Sequence, residues 1–89
     1  MNTLHLLTSN ESFDRLTEQA FLVGPDDAIV LMAEGVYSAF SSQNLHRPVY
    51  VLNSDLSLRG LNPRDISGKL IDYNELIALL TQFSRSISW

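Results

Sequence analysis

Apolar and polar positions fall in blocks along the 89-residue chain, and each block has the period of one kind of element. Thr3 to Leu7 reads as a first strand. Thr8-Ser9-Asn10-Glu11 supplies helix-start chemistry, with Thr8 and Glu11 in capping-box spacing and Asn10 as an alternative cap. Phe13, Leu16 and Ala20 recur at helical intervals and predict a helix from about Glu11 to Phe21, which Gly24-Pro25-Asp26-Asp27 breaks. Ala28-Ile29-Val30-Leu31-Met32-Ala33 is continuously apolar, the pattern of a strand buried on both faces of a parallel sheet. Glu34-Gly35 ends it. Val36 to Phe40 begins a short helix that fades into Ser41-Ser42-Gln43-Asn44. Pro48-Val49-Tyr50-Val51-Leu52 is a third strand, with proline at the position where no ladder donor is lost. Ser54 and Asp55 are placed to cap a helical turn through Arg59, closed by Gly60. Asn62-Pro63 to Gly68 is loop, and Lys69 to Asp72 a fourth strand. Asn74 is the expected cap of a final helix with Leu76, Ile77, Leu80 and Phe83 on one face, and Ile87 and Trp89 form a short edge strand or a docked tail.

Strands and helices therefore alternate with short connections, which predicts a small three-layer α/β domain on a mainly parallel sheet of four or five strands. At 89 residues the chain is expected to be one domain, 1–89, at the small end of what a single core supports. A domain this size buries roughly 60–65% of its unfolded surface, so a partner would help stabilise it. The longest apolar run, residues 28–33, is too short to cross a bilayer, and Met1-Asn2-Thr3 carries no basic segment ahead of an apolar core. A cytoplasmic location without membrane contact is the expectation.

Charge narrows the partners. Residues 1–45 hold one basic side chain, Arg15, against six acidic ones, and residues 46–89 hold five basic against four acidic, giving −5 and +1. Neither half clusters Lys and Arg as phosphate-backbone binding requires, so any role in nucleic-acid chemistry should be indirect.

In a parallel α/β sheet functional loops sit at the strand carboxyl ends, here Thr8–Glu11, Glu34–Tyr37 and Leu52–Asp55, which together could line one crevice. Asn, Ser, Asp and Gly are also what plain caps and turns need. His5, inside the first strand, and His46, in a polar loop, lie 41 residues apart with no cysteine between them, a weak metal case. Asp26-Asp27 reads most simply as a solvated turn. Gly24, Gly35, Gly60 and Gly68 are isolated, which excludes a glycine-rich phosphate loop, and no serine sits in a nucleophile elbow. No cofactor, metal or catalytic residue is expected. Glu34-Gly35-Val36-Tyr37 is the most specific local signal: a glycine directly after a buried strand permits a sharp turn or a close backbone approach. Phe13, Tyr37, Phe40, Tyr50, Tyr73, Phe83 and Trp89 exceed what so small a core buries well, a mild sign of a contact surface.

Leu4-His5, Glu34-Gly35-Val36, Asn53-Ser54-Asp55-Leu56 with Arg59-Gly60, Ile71-Asp72-Tyr73 and the closing Trp89 resemble the TusB (DsrH-like) subunits of the DsrE/DsrF/DsrH-like superfamily, over essentially the whole length. The resemblance implies a Rossmann-like α/β/α fold and a heterotrimer of TusB, TusC and TusD that pairs into a heterohexamer. That assembly receives sulfur from TusA and passes it through TusE to the thiouridylase acting at the tRNA wobble uridine. In thiol-bearing members the reactive cysteine follows the third strand, ahead of an Arg-Gly pair. Here that pair is Arg59-Gly60, the stretch Leu52-Asn53-Ser54-Asp55 has no thiol, and the chain has no cysteine at all. Only a thiolate becomes a persulfide nucleophile, so this chain is expected to be an accessory subunit rather than an enzyme.

Surface around Gly35, Val36, Tyr37 and Phe40, and around Asn53, Asp55, Leu56 and Arg59, is the expected interface. Three alternatives stay open: a free-standing enzyme using Asp55, Arg59 or His5, a homo-oligomeric α/β binding domain, and a DsrH-like subunit of dissimilatory sulfur oxidation. Strand order, stoichiometry and self-association of the isolated chain are left open too.

Overall fold

The continuous apolar run becomes β2, Ala28–Leu31, all four residues buried. A computed structural model describes residues 2–40 and 46–89. It places β2 at the centre of a five-stranded sheet with β1 (Thr3–Leu7), β3 (Val49–Leu52), β4 (Lys69–Ile71) and β5 (Arg85–Ser88), in the order β4-β3-β2-β1-β5. Every pairing is parallel, so the expected mainly parallel α/β sheet is wholly parallel. Register sets the faces: Leu4 lies opposite Ala28, Leu6 opposite Val30, Val30 opposite Tyr50 and Leu52 opposite Ile71. These residues form one apolar cluster with Leu76 and the half-buried Leu79 of α3, Tyr73–Gln82, and with the half-buried Phe83 at its C-cap. The alternate positions, Leu7, Ile29, Leu31 and Val51, form the other, with Leu16 of α1 (Ser12–Glu18), Val36 and Ala39 of a 3-10 helix (Ala33–Phe40), and Leu56 of α2 (Asn53–Leu58). Both faces are covered, which is why β2 shows no polar alternation.

Several local expectations change. The helix after β1 starts at Ser12 and ends at Glu18, followed by a 3-10 turn, Ala20–Leu22. The Thr8–Glu11 capping box does not form, nor does Asn10 cap; Glu11 occupies the N-cap without a side-chain bond. Thr8 and Ser12 send their hydroxyls instead to the Trp89 carbonyl, at 3.3 and 2.8 Å. The strand at 28–33 stops at Leu31 because the chain turns at Ala33, whose φ is +50°. Leu52 occupies the N-cap of α2, while the Asp55 carboxylate accepts from the Ala33 N–H at 2.6 Å, tying α2 to the 3-10 helix rather than capping its own. Gly60, with φ +67°, closes α2 as expected.

The last helix is capped by Asp72 rather than Asn74. Asp72 Oδ1 accepts from the Glu75 N–H at 2.7 Å, and Glu75 Oε1 accepts from the Asp72 N–H at 3.0 Å, a full capping box. Its sheet-facing stripe is the buried Leu76 with the half-buried Leu79 and Phe83; Ile77 and Leu80 are exposed, as is Tyr73. Residues 85–88 form the edge strand, and Pro63–Asp65 a 3-10 turn inside the expected loop. The fading of the helix into residues 41–44 lies outside the described residues.

Candidate functional site: the strand ends and a buried polar chain

The segments after β1 and β2 border an open cleft of about 630 Å³ lined by Asn10, Phe13, Asp14, Glu34, Tyr37 and Ser38. Two of the three loops expected to share a crevice therefore do so. Leu52–Asp55 stands outside that lining, joined to it through the Asp55–Ala33 bond. Among the described residues the lining carries two carboxylates and no cation, and a thiol is nowhere in the chain. Among the described residues no group of His, Asp and Glu gathers as metal ligands would.

Gly35 explains how closely the 33–40 segment is seated. A Cβ built there would run into the Leu7 carbonyl, and the neighbouring Met32 N–H donates to that same oxygen at 3.1 Å. The glycine of Glu34-Gly35-Val36 serves a backbone approach between the end of β1 and the segment after β2. Of the residues expected at an interface, Gly35, Val36 and Leu56 are buried inside the chain, Tyr37, Phe40 and Asn53 are exposed, and Asp55 and Arg59 are half-buried. Arg59 Nη1 donates to the Asp55 carbonyl at 3.2 Å and lies 3.9 Å from its carboxylate. His46 is exposed in its loop.

His5 is fully buried and bonded at both ring nitrogens. The Trp89 indole N–H donates to Nδ1 at 3.0 Å, so Nδ1 carries a lone pair and Nε2 carries the hydrogen. Nε2 then donates to Asp27 Oδ2 at 2.8 Å. Asp27 is not the solvated turn residue its neighbourhood suggests: it is 5% exposed, and its carboxylate also accepts the N–H groups of Thr3 and Gly24 at 2.9 and 2.8 Å. Burial pushes this carboxyl upward, but the His5 hydrogen bond and the two backbone N–H groups outweigh it, and Asp27 titrates below its ordinary 3.8. A His–Asp pair is general-base chemistry when its free nitrogen meets a substrate. Here the second nitrogen is closed by Trp89 and the ring has no solvent access, so the pair positions the chain. The link escaped sequence reasoning because its members are 22 and 84 residues apart; the parallel register that sets Leu4 against Ala28 brings them together.

Fold and site together define an all-parallel α/β domain with helices on both faces and an open cleft at the strand ends. The model of the family described as DsrH like protein matches residues 8–86, and the chain belongs to that family. It is 33% identical over 95 residues to Protein TusB of Pectobacterium parmentieri, covering 97% of this chain and 99% of the relative. Protein TusB of Pectobacterium carotovorum subsp. carotovorum (strain PC1) is 34% identical over 71 residues, 71% of this chain and 75% of that one. Among solved structures, the crystal structure of the E. coli ychN protein shares the fold, with a TM-score of 0.72 over 100% of both chains at 17% identity. The solution NMR structure of Tm0979 from Thermotoga maritima matches with a TM-score of 0.66 at 29% identity, covering 92% of this chain and 93% of that one.

Proposed function

We propose that this chain is a non-catalytic structural subunit of a TusBCD-type sulfur-relay assembly, acting as one DsrE/DsrF/DsrH-like domain over residues 1–89. The observation that carries this reading is similarity to proteins called TusB over most of the chain, in a sequence without a cysteine. A persulfide travels on thiolates, so a subunit lacking one holds the carriers in place. In this reading TusC- and TusD-like chains are the direct partners in the cytoplasm. TusA delivers the sulfur, TusE takes it on, and 2-thiolation of the tRNA wobble uridine is the end of the route. The −5 charge of residues 1–45 supports an indirect link to tRNA, since it repels a phosphate backbone.

The partner surface in this proposal is the exposed group Tyr37, Phe40 and Asn53, bordered by Asp55 and Arg59. Gly35, Val36 and Leu56 hold that surface from inside. Co-expression with TusC- and TusD-like chains followed by size-exclusion chromatography tests the reading. A stable mixed assembly is expected; a monomer that elutes apart from both partners contradicts it.

A further inference from the structure

We propose that protonation of His5 expels the Trp89 indole from its half-buried seat, so that the last strand is held on the sheet edge by a proton-sensitive latch. With a neutral ring, Nδ1 accepts the indole N–H at 3.0 Å while Nε2–H is satisfied by Asp27 at 2.8 Å. An imidazolium carries hydrogen on both nitrogens. Nε2–H keeps Asp27, and the new Nδ1–H then points at the indole N–H, donor against donor. His5 is 0% exposed, so no solvent reaches Nδ1 unless the indole leaves. A buried donor without an acceptor is costly, and displacement of Trp89 is the simplest relief.

The surroundings leave the proton few other outlets. Asp27, from the turn ahead of β2, is the titratable group bonded to His5, and its three native donors favour the anion that stabilises an imidazolium. Across the ladder His5 faces Ile29 on β2 and Ile87 on β5, neither of which titrates. The charged group next along the edge is Arg85, whose Nε donates to Thr3 Oγ1 at 2.8 Å. On the same face α1 contributes apolar Leu16 and Phe13 to the cluster that Trp89 packs against.

Loss of the indole matters because β5 has little else inside the protein. All four of its residues are exposed, and its ladder partner is β1 alone. Beyond the strand, the Trp89 backbone donates to the Leu6 carbonyl at 2.9 Å and accepts from Ser12 and Thr8. These bonds keep the backbone nearby while the side chain swings out, and they become the remaining restraint on the edge.

Trp89 is the chain's single tryptophan, so its emission reports the latch directly. The full-length protein is taken from about pH 8 to about pH 5, with far-UV circular dichroism recorded alongside. The expected result is a red-shifted emission with increased acrylamide quenching on acidification, at constant secondary structure, and a flat response in His5→Gln. Unchanged emission in the wild type, the same shift in His5→Gln, or loss of far-UV signal in step with the emission would each overturn the latch. Should His5→Gln fail to fold, imidazole nitrogen NMR of the wild type decides: Nε2–H at neutral pH agrees with the geometry, and Nδ1–H contradicts it.

Discussion

Asp27 joins parts of the chain that no local pattern connects. Its carboxylate takes hydrogen bonds from His5 and Thr3 in β1 and from Gly24 in the preceding turn, so one buried anion fixes the start of two adjacent strands. Asp27→Asn replaces an acceptor oxygen by an amide donor that confronts one of those N–H groups. We expect a loss of about 1–3 kcal/mol by urea denaturation at neutral pH. The sign with pH follows from the lowered titration of this carboxyl. Its stabilisation is present above the ordinary 3.8 that it takes in the unfolded chain and disappears as pH falls through the lower folded value. In Asp27→Asn that part of the acid dependence should vanish, leaving a shallower decline of stability below about pH 4 than in the wild type. His5 and Asp27 were each visible in the sequence, but only as isolated polar residues, because their partnership depends on strand register rather than on spacing.

At the scale of elements, α3 shows what periodicity can and cannot separate. Tyr73, Ile77 and Leu80 adjoin Leu76, Leu79 and Phe83 around one apolar arc, and the helical pattern marks the whole arc as a face. The sheet covers only half of it. Leu76 is 3% exposed, whereas Ile77 and Leu80 are 45% and 40% exposed. Leu76→Ala should therefore cost about 2–5 kcal/mol, and Ile77→Gln about 1 kcal/mol or less, in the same denaturation assay. Gly35 makes the complementary case. Its place after a buried strand left a sharp turn and a close backbone approach both open; the fold shows the approach, and Gly35→Ala should lose about 1–3 kcal/mol as the added methyl is forced against the Leu7 carbonyl. Caps were less legible. Thr8, Asn10, Ser54 and Asn74 are all chemically able to cap, yet Thr8 turned to Trp89 across the fold, and Asp72 took the last cap through a local box with Glu75 reaching back to it.

For the molecule as a whole, the layer arrangement was legible because β2 reads as buried on both sides and every connection is long enough for a helical crossover. The strand order was not, since the same pattern of blocks serves several orders; placing β5 beside β1 follows from the return of α3 across the second face. The residues proposed for an interface divide on the same ground. Local sequence singles out 35–40 and 53–59 as segments, but only the packed chain separates core Val36 and Leu56 from exposed Tyr37 and Phe40. Charged substitution at Val36 or Leu56 therefore probes folding. Tyr37→Glu and Phe40→Glu should keep the monomer folded and lower its yield in the mixed assembly, read by chromatography with subunits resolved. Retention of full assembly by both would move the partner surface elsewhere.

Intact-mass spectrometry of each subunit, after the reconstituted assembly has been charged with a persulfide donor, reaches the central claim most directly. The account predicts one added sulfur atom on a thiol-bearing partner and an unchanged mass for this chain. A sulfur adduct on this chain would contradict it.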